Sequence, residues 1–206
     1  MQIYDITHPI HAALAVWPGD TPYHYAPTLQ IQEGDSVNLG TITASVHTGS
    51  HADAPYHFSD SGATMEAVDL SAYLGPALVA DVRGKPVITC ADLANLDFSA
   101  APRLLLQTGG WLGTGRFPLS IPVVAPDVPE FLAARGVRLF GVDVPSVDLL
   151  DSKTLPNHHR FGASGIAILE SLRLDAVPEG IYELLALPLP LVGADGSPVR
   201  AILRTL

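Results

Sequence analysis

Cysteine is almost missing from this chain: Cys90 is the single one in 206 residues. One thiol cannot close an intramolecular disulfide, so the expectation is a fold held by its core in a reducing, cytoplasmic setting. Basic residues are scarce as well. Lys and Arg number 11 against 21 Asp and Glu, a formal net charge of −10. Nucleic acid demands a basic face, so that deficit argues against it as a partner, although local charge or a metal still allows a small anionic substrate. Long apolar runs are lacking too. The segment "HAALAVW" near the N-terminus is far shorter than the ~20 residues of a membrane helix, has no basic stretch before it, and elsewhere Pro and Gly break every candidate. The expectation is a soluble, unexported protein with no membrane partner. Repeats, low-complexity tracts and credible linkers are also absent from the sequence, and 206 residues suit one domain over 1–206.

What is present is a supply of Ala, Leu and Val large enough for a full core. "IYDITHPI" reads as a strand, and "VWPGDTPY" after it as turn chemistry with Trp17 at a loop edge. "LGTITASV" alternates with a period of two, placing Ile42, Ala44 and Val46 on a core side. "GPALVADV" and "RLLLQT" read as buried strands, with a short helix between them that Thr89 would cap. "APDVPEFLAARGV" is the clearest helix: Asp127 as cap, Phe131 and Leu132 facing inward, Gly136 as terminator. "VRLFGVDV" returns as a strand ending at Asp143, which either supports the site from behind or caps a turn, the second being the favoured reading. Asp195-Gly196 in "GADG" reads as the hairpin turn between the two C-terminal strands. Many strands with few helices predict an α/β fold, compact, with a mixed sheet at its core.

The chemistry concentrates in "VHTGSHADAPYHF". Of eight histidines in the chain, three fall here, with Asp53 among them. A helix is excluded by Gly49 and Pro55. In an extended chain the odd-numbered His47, His51, Asp53 and His57 project to one side, away from the core side of the preceding strand, and Gly49 and Pro55 let them converge. Imidazole and carboxylate suit zinc and related first-row metals, and two His with one Asp leave an open position for water, whose pKa a bound metal lowers to about 7. A loop of merely solvated histidines is the bland alternative. Downstream, "DSKTLPNHHRFGASGIAILE" offers His158 or His159 and Glu170, a carboxylate at the end of an apolar run that is costly to bury unless it is paired or bound to metal. Lys153 there reads as solvated. Trp111 lies in "TGGWLGTG", which lacks the ending of a phosphate loop. The histidines at 8, 11 and 24 carry no motif and read as ordinary loop or surface residues.

"HTGSHADAPYHF" resembles the His-x-Gly-Thr-His-x-Asp-x-Pro-x-His signature of the metal-dependent cyclase-like hydrolases, with Ser50 keeping the hydroxyl of the usual Thr. "VWPGDTP", "DSKTLPNHH" with "IAILE", and "YELLALPL" with "SPVRAILR" are similar to the bacterial kynurenine formamidase branch, in that order along nearly the whole chain. The resemblance implies the swivelling β/β/α fold of that family, a homodimer, and a site of two divalent ions, zinc or alternatively manganese. It implies that His47 and His51 hold one metal, that Asp53 and Glu170 bridge both, and that His158 completes the second. It implies His57 as acid/base catalyst and Trp17 as a substrate contact. The implied reaction is hydrolysis of N-formyl-L-kynurenine, with a metal-bound hydroxide as nucleophile. Leu155, Pro156 and Asn157 stand where the family pattern is Met-Asp-Ala, which bears on loop shape and substrate fit. The rivals are a related hydrolase acting on a cyclic amide, lactone or other aryl amide, and a non-catalytic metal-binding or ligand-sensing domain.

Overall fold

A computed structural model describes residues 1–111, 113 and 115–206; Leu112 and Thr114 of the "TGGWLGTG" stretch lie outside the described residues. In chain order the strands and helices are β1 (Ile3–Asp5), β2 (His24–Leu29), β3 (Leu39–Thr43), β4 (His51–Asp53), β5 (Leu74–Asp81), β6 (Val87–Ile88), α1 (Cys90–Leu93), β7 (Arg103–Gln107), β8 (Val123–Val124), α2 (Val128–Ala133), β9 (Leu139–Val142), α3 (Pro156–Ala163), β10 (Ala167–Glu170), β11 (Gly180–Leu185), β12 (Gly196–Pro198) and β13 (Ile202–Thr205). Among the described residues, nine of the strands form one mixed sheet in the order β1-β13-β11-β5-β7-β9-β10-β4-β12. The run β5-β7-β9-β10 is parallel; β11, β4 and the edges pair antiparallel. This is the mixed α/β architecture expected.

The central strands are apolar throughout because both of their faces are covered. Leu104, Leu106, Phe140, Val142 and Ile168 enter one core with Leu132 of α2 and Phe161 of α3. Leu105, Leu139 and Leu169, their neighbours in sequence, enter a second core on the opposite face with Val79, Leu184 and Leu203. Phe140 and Phe161 stack with centroids 4.7 Å apart, which fixes α3 over β9 and β10. At Thr89 the expected cap is present: its N and Oγ1 donate to the Asp92 carboxylate. Gly136 closes α2 with φ +80°, a left-handed conformation that suits glycine. Asp127 occupies the cap position of α2 but its side chain makes no capping bond there.

Three local readings differ. Ile42 is 65% exposed, because β3 pairs only with β2 in a separate two-stranded ribbon and has no core to face. The first strand is shorter than read, ending at Asp5, although Ile6 N still donates to Ala201 O in the register of the β1–β13 pair. Asp195-Gly196 is not a hairpin turn. The chain turns earlier, at Leu191–Ala194 with Gly193 at φ +78°, and β12 crosses to the far edge of the sheet to pair with β4. β11 and β13 do pair antiparallel, and the Pro188–Val199 bridge continues their register, so the C-terminal segment is a hairpin whose wide connection carries β12 across to β4.

Leu105 is fully buried in the centre of the sheet, and its loss leaves a cavity that the flanking strands cannot close. Leu105→Ala is expected to lower unfolding free energy by about 2–5 kcal/mol, measured by urea denaturation.

Candidate metal centre

The register of two short strands sets out the centre. In β4, His51 and Asp53 point to the face covered by α3, while Ala52 between them joins the opposite core. Glu170, at the end of β10, is the register partner of His51. His158 comes from the first turn of α3, just above that strand end. His47 lies in the turn before β4, and His57 ends a single 3₁₀ turn after it. The histidine run is therefore extended only over His51–Asp53; convergence comes from the turns on either side. His158 is buried within the cluster, whereas His159 is exposed with its ring against Phe58.

Each clustered imidazole is clamped through one nitrogen and presents the other to carboxylate oxygens, of two residues for His51 and His158 and of Asp53 alone for His47. His51 Nδ1 donates to Gly49 O at 2.8 Å, a carbonyl brought round by the left-handed Gly49 (φ +70°). Its Nε2 then faces Asp53 Oδ1 at 3.4 Å and Glu170 Oε2 at 3.5 Å. His158 Nδ1 donates to Asp148 Oδ2 at 2.8 Å, and its Nε2 faces Asp53 Oδ2 at 3.5 Å and Glu170 Oε1 at 3.4 Å. His47 Nε2 donates to Asp195 Oδ2 at 3.0 Å, and its Nδ1 faces Asp53 Oδ1 at 3.2 Å. Asp53 is 3% exposed, yet among the described residues neither of its oxygens has a hydrogen-bond partner. The imidazole contacts are at ion-pair distance without hydrogen-bond alignment, so lone pairs on both sides converge on shared space. That is the geometry of donors around a cation, and the donor set, imidazole with carboxylate, fits a first-row divalent ion. His47, His51 and Asp53 form one group with ligand atoms within 4.8 Å of one another; Asp53, His158 and Glu170 form another.

The electrostatics carry the same message. Burial opposes charge on His51, but the facing Asp53 and Glu170 override it and push its pKa up to about 10. Burial likewise opposes charge on His158, and Asp148, Asp53 and Glu170 together push it up to about 12. Asp53, despite burial, is held well below the usual carboxylate range by His158, His47 and His51. The cluster therefore favours positive charge in the space between its carboxylates.

His47, His51, His158 and Glu170 of the centre form the floor of a cavity of about 300 Å³. Trp17 lies on its wall, with its ring edge-on to Phe117 at 5.3 Å; Trp111, Leu155 and His57 line it too. Sequence reasoning assigned no role to Asp148 or Asp195, or to Trp111 and Phe117 as walls. Asp148 lies ten residues before His158 with no local spacing to mark it, and Asp195 was masked by its turn-like Asp-Gly context. His8 is also not the surface residue expected: it is 4% exposed, its ring lies tilted against Trp111 with centroids 5.5 Å apart, and its backbone N donates to Ser50 Oγ. Ser50 Oγ in turn donates to Ser171 O at 2.6 Å, tying the histidine run to the segment after Glu170. Asp143 is buried and accepts from Thr108 N and Gly109 N, so it caps a turn, but an interior one. His11, His24 and Lys153 are exposed.

A family model described as "Putative cyclase" matches residues 4–149. The chain belongs to the cyclase family. It is 48% identical over 202 residues to the kynurenine formamidase of Geobacillus thermodenitrificans, covering 98% of this chain and 97% of that one. Against the kynurenine formamidase of Bacillus cytotoxicus it is 46% identical with the same coverage. Among solved structures, a "predicted metal-dependent hydrolase from Bacillus stearothermophilus" superposes with a TM-score of 0.82 at 32% identity, covering 98% of this chain and 97% of that one. A cyclase-family chain of this kind, with three imidazoles converging on two carboxylates, carries a metal-binding centre.

Because His51 and His158 hold protons until a cation displaces them, zinc uptake near pH 7 is expected to release protons and to weaken as pH falls, read by calorimetry in buffers of different ionisation enthalpy. Asp148→Asn removes the anion that fixes His158 and is expected to lower zinc affinity roughly 10–100-fold in a chelator competition.

Proposed function

We propose that this chain is a metal-dependent amide hydrolase that converts N-formyl-L-kynurenine to L-kynurenine and formate. The observation that carries the reading is the presence, in one cavity, of the converging donor set, a further imidazole beside it, and aromatic walls above it. Near-full-length similarity to proteins named kynurenine formamidase supports the choice of substrate. His47, His51 and Asp53 would hold one cation and Asp53, Glu170 and His158 a second, with zinc as the ion and manganese as the alternative. Asp53, Glu170, Asp148 and Asp195 set four carboxylates against neutral imidazoles, a charge that two divalent cations balance. Bound there, such ions supply Lewis acidity and lower the pKa of a coordinated water to about 7.

The chain's own residues do the rest. Trp17 and Phe117 offer apolar faces to the aryl ring, and the ring's position sets the formamide over the carboxylates. His57 lines the same cavity, with its Nδ1 held 3.2 Å from Asp195 Oδ2. It takes a proton from the attacking water as the oxygen adds to the formyl carbon. It returns that proton to the aniline nitrogen as the C–N bond breaks, releasing formate and the free amine. The working unit is a homodimer in the cytoplasm. Support for association comes from the β2–β3 ribbon, where Tyr25, Leu39 and Ile42 are 49%, 53% and 65% exposed. Among the described residues, no helix is long and apolar enough to cross a membrane.

Purified protein is expected to hydrolyse N-formylkynurenine, to lose that activity on chelation and to recover it with zinc or manganese. Turnover of cyclic amides or lactones in a substrate panel, with none of N-formylkynurenine, would overturn the assignment. His57→Ala is expected to retain its metal and lose roughly two to four orders of magnitude in kcat. Trp17→Ala is expected to raise KM about three- to tenfold through lost aromatic contact.

A further inference from the structure

Asp195 reaches the centre by strand register. Gly196 is the partner of Asp53 across β12 and β4, so the residue before it lies beside the end of β4, where Ala54 N donates to Asp195 O at 2.9 Å. From there a single carboxylate oxygen, Oδ2, meets two rings: His47 Nε2 at 3.0 Å and His57 Nδ1 at 3.2 Å. The two rings lie 4.2 Å apart, centroid to centroid. The approach is close enough to require glycine next in the chain. A Cβ on Gly196 would stand 2.7 Å from His47 Cε1.

An ionised carboxylate only accepts hydrogen bonds, so each ring nitrogen facing it carries the hydrogen. A carboxylate is ionised near neutral pH, and this one has a ring nitrogen on either side of a single oxygen. In neutral His57 the proton on Nδ1 leaves Nε2 as the lone-pair nitrogen, and among the described residues no protein hydrogen bond engages that atom. The same oxygen holds His47 with Nδ1 turned to Asp53. We propose that Asp195 is a positioning residue of the hydrolysis: it fixes His57 as the Nδ1–H tautomer, with a basic Nε2 for the substrate pocket, while setting the angle of the neighbouring His47. This rests on the reading of His57 as the acid/base group. It links base and cation site through one atom.

The test compares the zinc-saturated parent with Asp195→Ala by three measurements: zinc per chain, kcat and KM on N-formylkynurenine, and the ¹⁵N shifts of the His57 ring. The expected result is zinc content equal to the parent, KM within about threefold, and kcat down roughly 10²–10⁴-fold, the range for loss of a correctly held acid/base group. The His57 signals should move from Nδ1–H toward Nε2–H. A fall in zinc per chain at saturation would make Asp195 a ligand together with His47 and His57, whose ligand atoms also lie within 4.8 Å of one another, and would overturn the proposal. Parent-like kcat, or an unchanged tautomer, would do the same. If the parent itself fails to hydrolyse N-formylkynurenine, the functional reading falls, while the ring shifts still decide what Asp195 does to His57.

Discussion

Asp53 and Glu170 place two carboxylates on adjacent strands with 3% and 4% of their surface exposed, and the surrounding architecture follows from keeping them there. Removing one such ion from water costs several kcal/mol even after relaxation, and two like charges side by side cost more. Three imidazoles face them, and each is held by an acceptor behind it: Gly49 O for His51, Asp148 for His158, Asp195 for His47. The clamps turn the free nitrogens inward and prevent the rings from rotating away to relieve the crowding. Glu170 gains one further contact, as Oε1 accepts from Val147 N at 2.8 Å. Among the described residues Asp53 gains none, which leaves both of its oxygens available to a cation.

The sheet makes this arrangement rigid. Site residues follow the carboxyl ends of its parallel strands: Trp111 after β7, Pro145 and Ser146 after β9, Ser171 after β10. Crevices at those strand ends are where ligands bind in α/β sheets generally. Among the described residues, the non-glycine residues with positive φ are Leu155 (+42°) and Ser171 (+55°), and both line the cavity. Leu155 precedes the helix that delivers His158, and Ser171 follows Glu170. Strain of this kind persists where surrounding structure over-determines it; here the Asp148 carboxylate accepts from the N–H groups of Asn157 and His158, while Ser171 N is bonded to Val144 O.

The fold class was legible because the apolar runs around Leu104–Leu106 and Leu139–Val142 and the helix signals around Thr89 and Gly136 are local. Alternation misled at Ile42, where a strand with the right pattern pairs into a ribbon away from the cores. Turn chemistry misled at Asp195-Gly196, because a dipeptide that suits a hairpin also suits a strand passing close to an imidazole ring. His8 illustrates the same limit: nothing around it in sequence signals burial, which comes from Trp111 and Ser50, far along the chain.

By itself, the sequence determined which chemistry was available: His47, His51, Asp53 and His57 lie within eleven residues, and their side-chain types and the glycine and proline between them are local properties. Only the tertiary structure decided which groups share space. Glu170 meets His51 through strand pairing, His158 rather than His159 faces inward through the rotation of α3, and Asp148 and Asp195 arrive from segments whose local patterns say nothing of imidazoles. The reason is physical: donor type is written in each residue, whereas convergence depends on register and packing between segments more than a hundred residues apart.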